Sequence, residues 1–108
     1  MFEMFGMMIE TYARNIVKVN NKWYIVDTIK PGDTNRWETG LAEVDLEALR
    51  KFVDEDLGFD LKDDEELDDE TIYAYADDFT DGWSVESHSN KKIAIKRHAE
   101  ICKTARLR

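Results

Sequence analysis

The sequence predicts a single α+β domain spanning residues 1–108, an antiparallel β-sheet of about four or five strands with two helices packed on one face. Three observations lead there. Residues 11–44 are dominated by β-branched and aromatic runs, two later stretches carry apolar residues at helical spacing, and no linker or internal repeat divides the 108 residues.

The elements follow in order. "TYARNIVKV" (11–19) and "KWYIVDTIK" (22–30) flank "NN", and Asn tolerates the positive φ of a tight turn, so the pair reads as a β-hairpin. Pro31-Gly32-Asp33 ends the second strand, and "RWETGLAEV" (36–44) reads as a third. Asp45 is placed to cap a helix over 45–57, with Leu46, Leu49, Phe52, Val53 and Leu57 at helical spacing and Gly58 as the stop. "TIYAYADDF" (71–79) alternates well enough for a strand, with a short helix as the alternative, and "WSVES" (83–87) pairs back after "TDG". Ser89 or Asn90 can cap a last helix, whose Ile95, His98, Ala99, Ile101, Cys102 and Ala105 share one face.

Composition sets the class. Hydrophobic residues make up 43%, with three Trp, four Tyr and five Phe, enough for a core and against disorder. No apolar run reaches membrane-spanning length, and the start, "MFEMFGMMIE", lacks the basic region and cleavage site of a secretory signal. Cys102 is the only cysteine, so no intrachain disulfide forms and a cytoplasmic location is expected.

The net charge of −9 is unevenly spread. Residues 1–36 carry +1, residues 37–90 carry −16 and residues 91–108 carry +6. The excess is densest in an acidic loop region around 60–70, "DLKDDEELDDE". Between Asp54 and Asp81, 14 acidic residues face one lysine, Lys62.

The chemistry of an enzyme is hard to find. There are five glycines but no Gly-rich phosphate loop, no serine elbow and no paired nucleophile and base. A dense solvated carboxylate run opposes the desolvation that a catalytic pair needs. His98 and Cys102 lie one helical turn apart, with His88 upstream, but a fourth zinc ligand is missing and a core face explains the pair. A calcium loop over 54–65 fails because Phe59 stands where an EF-hand needs Gly and Lys62 repels the cation. No enzyme activity, metal or cofactor is therefore expected. The basic C-terminal stretch could meet phosphates, but the acidic middle repels a polyanion, so neither nucleic acid nor membrane is expected as a direct partner. The start interleaves Met1, Met4, Met7 and Met8 with Phe2 and Phe5; it reads as an arm on the sheet or a homodimer surface, with Met7 and Met8 as alternative starts.

An ordered domain that keeps so many like charges accepts self-repulsion, which makes sense if that surface meets a basic one. The candidate partner-binding residues are Asp54, Glu55, Asp56, Asp60, Asp63, Asp64, Glu65, Glu66, Asp68, Asp69, Glu70, Asp77, Asp78 and Asp81. The alternative is a solvated loop between elements.

In size, acidity, aromatic content and single cysteine the chain resembles the small inhibitors that phages and mobile elements encode, the anti-CRISPR, anti-restriction and DNA-mimic proteins. A local likeness runs the same way: "WET" (37–39) and "IKRHAEIC" (95–102) are similar to small uncharacterised phage and plasmid proteins with a Trp/Tyr-Glu-Thr strand and a closing His-x-Glu helix. The resemblance implies a cytoplasmic, non-enzymatic inhibitor that offers carboxylates in place of DNA or RNA to a basic, nucleic-acid-binding host defence protein. An immunity or antitoxin-type protein capping a basic toxin nuclease is the alternative, and a metal-assisted enzyme or regulator the third.

Overall fold

The computed structural model describes residues 9–32 and 34–107. Its strands are β1 (Glu10–Val19), β2 (Lys22–Lys30), β3 (Trp37–Val44) and β4 (Thr80–His88). Its helices are α1 (Leu46–Lys51), α2 (Asp69–Tyr75) and α3 (Lys91–Thr104). The strands form one antiparallel sheet in the order β1-β2-β3-β4. This is the expected α+β class, with a short third helix beside the two anticipated. The Met-rich start and Asp33 lie outside the described residues.

The first hairpin closes as its turn requires. Asn20 and Asn21 have φ of 53° and 66°, the left-handed pair of a type I′ turn. Val19 therefore faces Lys22, and the ladder runs to Glu10 opposite Lys30. A bulge between Thr11 and Ala13 leaves Tyr12 as the extra residue.

Strand alternation sorts the side chains to two faces. On one, Trp23 and Ile25 of β2 and Val44 of β3 form a core with Leu49, Val53, Ile72 and Ala76. On the other, Val26, Thr28, Trp37 and Thr39 are buried with Ala94, His98 and Ile101 of α3. The helices thus cover both faces of the sheet, where one face was expected. The reason is periodic: β2 is apolar at Trp23, Ile25 and Val26, and a strand with buried residues of both parities needs cover on both sides.

Asp45 caps α1 by accepting the Ala48 N–H at 3.1 Å. The helix continues through 52–56 as a wider π-helical turn, in which the Leu57 N–H reaches the Phe52 carbonyl at 3.1 Å. Gly58, at φ 72°, and the Phe59 N–H on the Val53 carbonyl at 3.2 Å then end it. The expected helix over 45–57 is present with that distortion.

"TIYAYADDF" is helical, which decides against the strand. Asp68 caps α2, and Ile72 and Ala76, four residues apart, both enter the core. Alternation alone could not separate the two, because an i, i+4 pair also satisfies a period of two. Asn90, rather than Ser89, caps α3 at 2.9 Å from the Ile93 N–H. The buried face of α3 is Ala94, His98 and Ile101; Ile95 and Cys102 are half-buried, and Ala99 is exposed, contrary to expectation. Helix α3 lies across all four strands, and at 3.6 residues per turn the stripe it buries, Ala94, His98 and Ile101, leaves Ala99 on the side turned away from the sheet.

Candidate interaction surface

The acidic stretch is held in place rather than left as a spacer. Leu57, Leu61 and Leu67 reach back into the core between the carboxylates. Arg50 of α1 aims its guanidinium into the loop, donating from one nitrogen to the Glu65 carbonyl and from the other to the Lys62 carbonyl. Lysine could not make that fork. Asp54 accepts the Leu61 N–H at 2.6 Å, and Glu65 accepts the Lys62 N–H at 3.2 Å. Asp68 accepts the Thr71 N–H at 2.8 Å, and hydrogen bonding to Thr71 holds its carboxyl below the usual carboxylate range. Arg50 and three of the carboxylates, Asp54, Glu65 and Asp68, therefore fix the backbone from which the others project.

The structure gathers part of the candidate set and scatters the rest. Asp63, Asp64, Glu65, Glu66 and Asp69 line a groove of about 410 Å³. Its far wall is the hairpin tip, with Lys18 and Asn21, and its apolar floor includes Leu46, Leu67 and Ile72. Lys18 sits over the Trp23 ring at 5.7 Å from its centre. Asp68 and Glu70 flank this rim at the start of α2. Asp54 and Glu55 lie along α1 and its π-helical extension beside Glu47 and Lys51, and Asp56 lies beyond them near Phe79. Asp60, at φ 54°, sits just after the Gly58 turn. Asp77 and Asp78 close the turn after α2, and Asp81 is the second residue of β4. Of these 14 only Asp54 is half-buried; the others are exposed.

Few of them have cationic partners. Asp77 meets Arg14 at 3.1 Å, and Arg14 also meets Asp27 at 3.0 Å. The Arg14 guanidinium is raised above its ordinary value, first by its hydrogen bond to Asp27. Among the described residues no ion pair within 4.0 Å involves Asp63, Asp64, Glu65, Glu66, Asp68, Asp69 or Glu70. The basic residues of α3 do not neutralise them. Arg97 grips Glu86 with two bonds of 2.7 and 3.1 Å, and Lys91 pairs with Glu10 and sits over Trp37.

A second polar feature lies beneath α3, and sequence reasoning missed it. His98 Nε2 is 2.7 Å from Asn15 Oδ1, and its Nδ1 is 2.7 Å from Thr28 Oγ1. Thr28 Oγ1 is 3.0 Å from Thr39 Oγ1, which is 3.2 Å from His88 Nε2. Asn15 accepts, so His98 donates from Nε2 and receives the Thr28 hydroxyl at Nδ1. Thr39 then donates to Thr28 and receives the His88 N–H, so every member of the chain is satisfied with His98 neutral. Burial holds the His98 imidazole below the usual histidine range, against an opposing pull from Asp27. The bulged Tyr12 ring stands edge-on to it at 5.4 Å. The only trace in the sequence was parity: Thr28 and Thr39 sit mid-strand at positions that otherwise bury apolar side chains.

Both His98 nitrogens are engaged, Cys102 is half-buried with its thiol pushed up by burial, and no group of three His, Cys, Asp or Glu residues suited to a metal exists among the described residues. No helix among them is long and apolar enough to cross a membrane. No family model, curated protein or solved structure matches this chain.

Proposed function

We propose that this chain is a non-enzymatic binding protein whose acidic cap, centred on Asp63–Asp69, occupies the basic nucleic-acid-binding surface of a protein partner. One observation carries the reading: a dense row of exposed carboxylates, without cationic partners among the described residues, stands on a loop that Arg50, Asp54 and three leucines already hold in shape. A loop that is ordered before binding loses little entropy on docking. Its charges also steer a cationic partner from beyond contact range. A groove built for duplex DNA neutralises about one charge per 1.7 Å of helix axis, and a fixed row of carboxylates can satisfy the same lysines and arginines. The resemblance in type to small phage-encoded inhibitors makes a nucleic-acid-binding defence protein the first target to test.

The test uses the six-fold variant Asp63→Asn, Asp64→Asn, Glu65→Gln, Glu66→Gln, Asp68→Asn and Asp69→Asn. Wild type and variant serve as baits in a cell lysate at low salt, and captured proteins are identified by mass spectrometry. The expected catch is a nucleic-acid-binding protein held by the wild type and lost by the variant. The wild type should displace DNA or RNA from it, with potency falling as salt rises past ~0.15 M, where the Debye length is about 8 Å. Equal capture by both baits would show that the acidic cap is not the binding surface.

A further inference from the structure

The hydrogen-bonded row beneath α3 crosses the whole sheet. It takes Asn15 from β1, Thr28 from β2, Thr39 from β3 and His88 from β4, with His98 of α3 between the first two. Thr28 and Thr39 face each other directly in the register of β2 and β3. Both imidazoles are buried, His98 at 4% exposed and His88 at 8%. With His98 neutral, the donors all run one way: His88 Nε2–H to Thr39, Thr39 to Thr28, and Thr28 to His98 Nδ1. One nitrogen is left over. Among the described residues no hydrogen bond engages His88 Nδ1, and the His88 ring lines a cleft of about 530 Å³ between β4 and α3.

We propose that this row is a proton relay through which the two buried imidazoles share a single added proton. The proton enters at His88 Nδ1. His88 passes its Nε2 proton to Thr39 Oγ1, Thr39 passes its own to Thr28 Oγ1, and Thr28 passes its own to His98 Nδ1. Each oxygen gains one O–H bond and loses one. The row as a whole gains one proton: His98 ends as the imidazolium, and His88 ends neutral with its proton on Nδ1 instead of Nε2. Every donor is satisfied again, now in the reverse direction, from His98 Nδ1–H to Thr28, Thr28 to Thr39 and Thr39 to His88 Nε2. Asn15 Oδ1 accepts the Nε2–H of His98 in both states. His98 thus has a path to the cleft that does not require α3 to lift off the sheet.

A second proton is not accommodated. With both rings charged, each donates to a threonine, and one of the two hydroxyl protons has no acceptor left within the row. The rings therefore titrate as a coupled pair, one proton in each of two steps. The surroundings bear on where the first proton rests. At His98 burial opposes the charge and Asp27 of β2 attracts it, with Asn15 and Tyr12 of β1 against the ring and Cys102 one turn along α3. At His88, Glu86 and Glu100 oppose Lys96 and Arg97 around the cleft, and Lys91 lies over Trp37, the residue of β3 paired with His88.

The protein holds only two histidines, so nitrogen NMR of the imidazoles reads charge and tautomer at both, with His88→Gln and His98→Gln for assignment. At neutral pH both rings should carry their proton on Nε2. On acidification the wild type should take up its two protons in separated steps. Thr39→Val cuts the relay but keeps the side-chain shape, and the two steps should draw together. Thr39→Ser returns the hydroxyl and should return the separation. Asn15→Asp sets a carboxylate against His98 Nε2 and draws the charge there. His88, on the opposite edge strand, should then move its proton to Nδ1 at neutral pH, and should not do so when Asn15→Asp is combined with Thr39→Val. A single merged step in the wild type overturns the proposal. So does an equal separation in Thr39→Val, which would assign the coupling to charge alone, or a His88 that keeps its proton on Nε2 alone beside a charged His98.

Discussion

Thr28 Oγ1 lies 2.7 Å from His98 Nδ1, a contact between residues 70 apart in sequence that fastens α3 to the centre of the sheet. The bond works in this direction only while the imidazole is neutral. A protonated His98 would present N–H groups at both nitrogens, and the two threonines would have to reverse their donors to accept one of them.

The first prediction is therefore a stability that falls in mild acid. Burial holds His98 below its unfolded pKa of ~6.5, so the unfolded chain binds a proton first. Stability from this site is complete above ~6.5 and is lost progressively as pH falls from there toward the folded pKa. Urea unfolding at several pH values checks this against His98→Gln, which keeps a polar side chain but does not titrate. The difference between the two proteins should shrink from pH 8 to pH 5. A parallel pH dependence in both would place the titration elsewhere.

The second prediction concerns the loop clamp. Arg50→Ala should leave the carbonyls of Lys62 and Glu65 without their charged donor and loosen the acidic stretch. Amide exchange should quicken across residues 61–67 while β2 and β3 stay protected. Arg50→Lys should not restore the slow exchange, since an ammonium cannot reach two carbonyls in the guanidinium fork. If the captured partner of the acidic cap exists, Arg50→Ala should weaken it mainly by making the free loop disordered.

The third prediction separates two ion pairs made by one side chain. Arg97 and Glu86 are only 15% and 18% exposed at their side chains and share two hydrogen bonds, whereas Glu100 is 50% exposed and 3.4 Å away. Burial limits screening by water, so a double-mutant cycle should give about 1.5–3 kcal/mol for Arg97–Glu86. Arg97–Glu100, an i, i+3 pair in solvent, should give about 0.2–0.5 kcal/mol. Raised salt should erode the second and leave the first.

Local chemistry was legible in the sequence because it is read over a few residues. The Asn20-Asn21 turn, the Asp45 and Asn90 caps and the Gly58 stop all act on backbone groups within six positions, and each stands where its residue type required. The α+β class followed from the same signals, as did the single crowded region of negative charge. Tertiary structure decided what depends on distant partners. Residues 71–79 fitted two periods, and only the docking of Ile72 and Ala76 onto Leu49 and Val53 chose the helix. The helices divided between two faces because β2 buries both parities, which no single helical segment reveals. The acidic run looked like a spacer or a bare charge array, since nothing local shows that Arg50 holds its carbonyls or that its leucines reach the core. The Asn15–His98–Thr28–Thr39–His88 chain was invisible for the same reason: a hydrogen bond between polar groups far apart in sequence is specified by sheet register, and register exists only once the strands have paired.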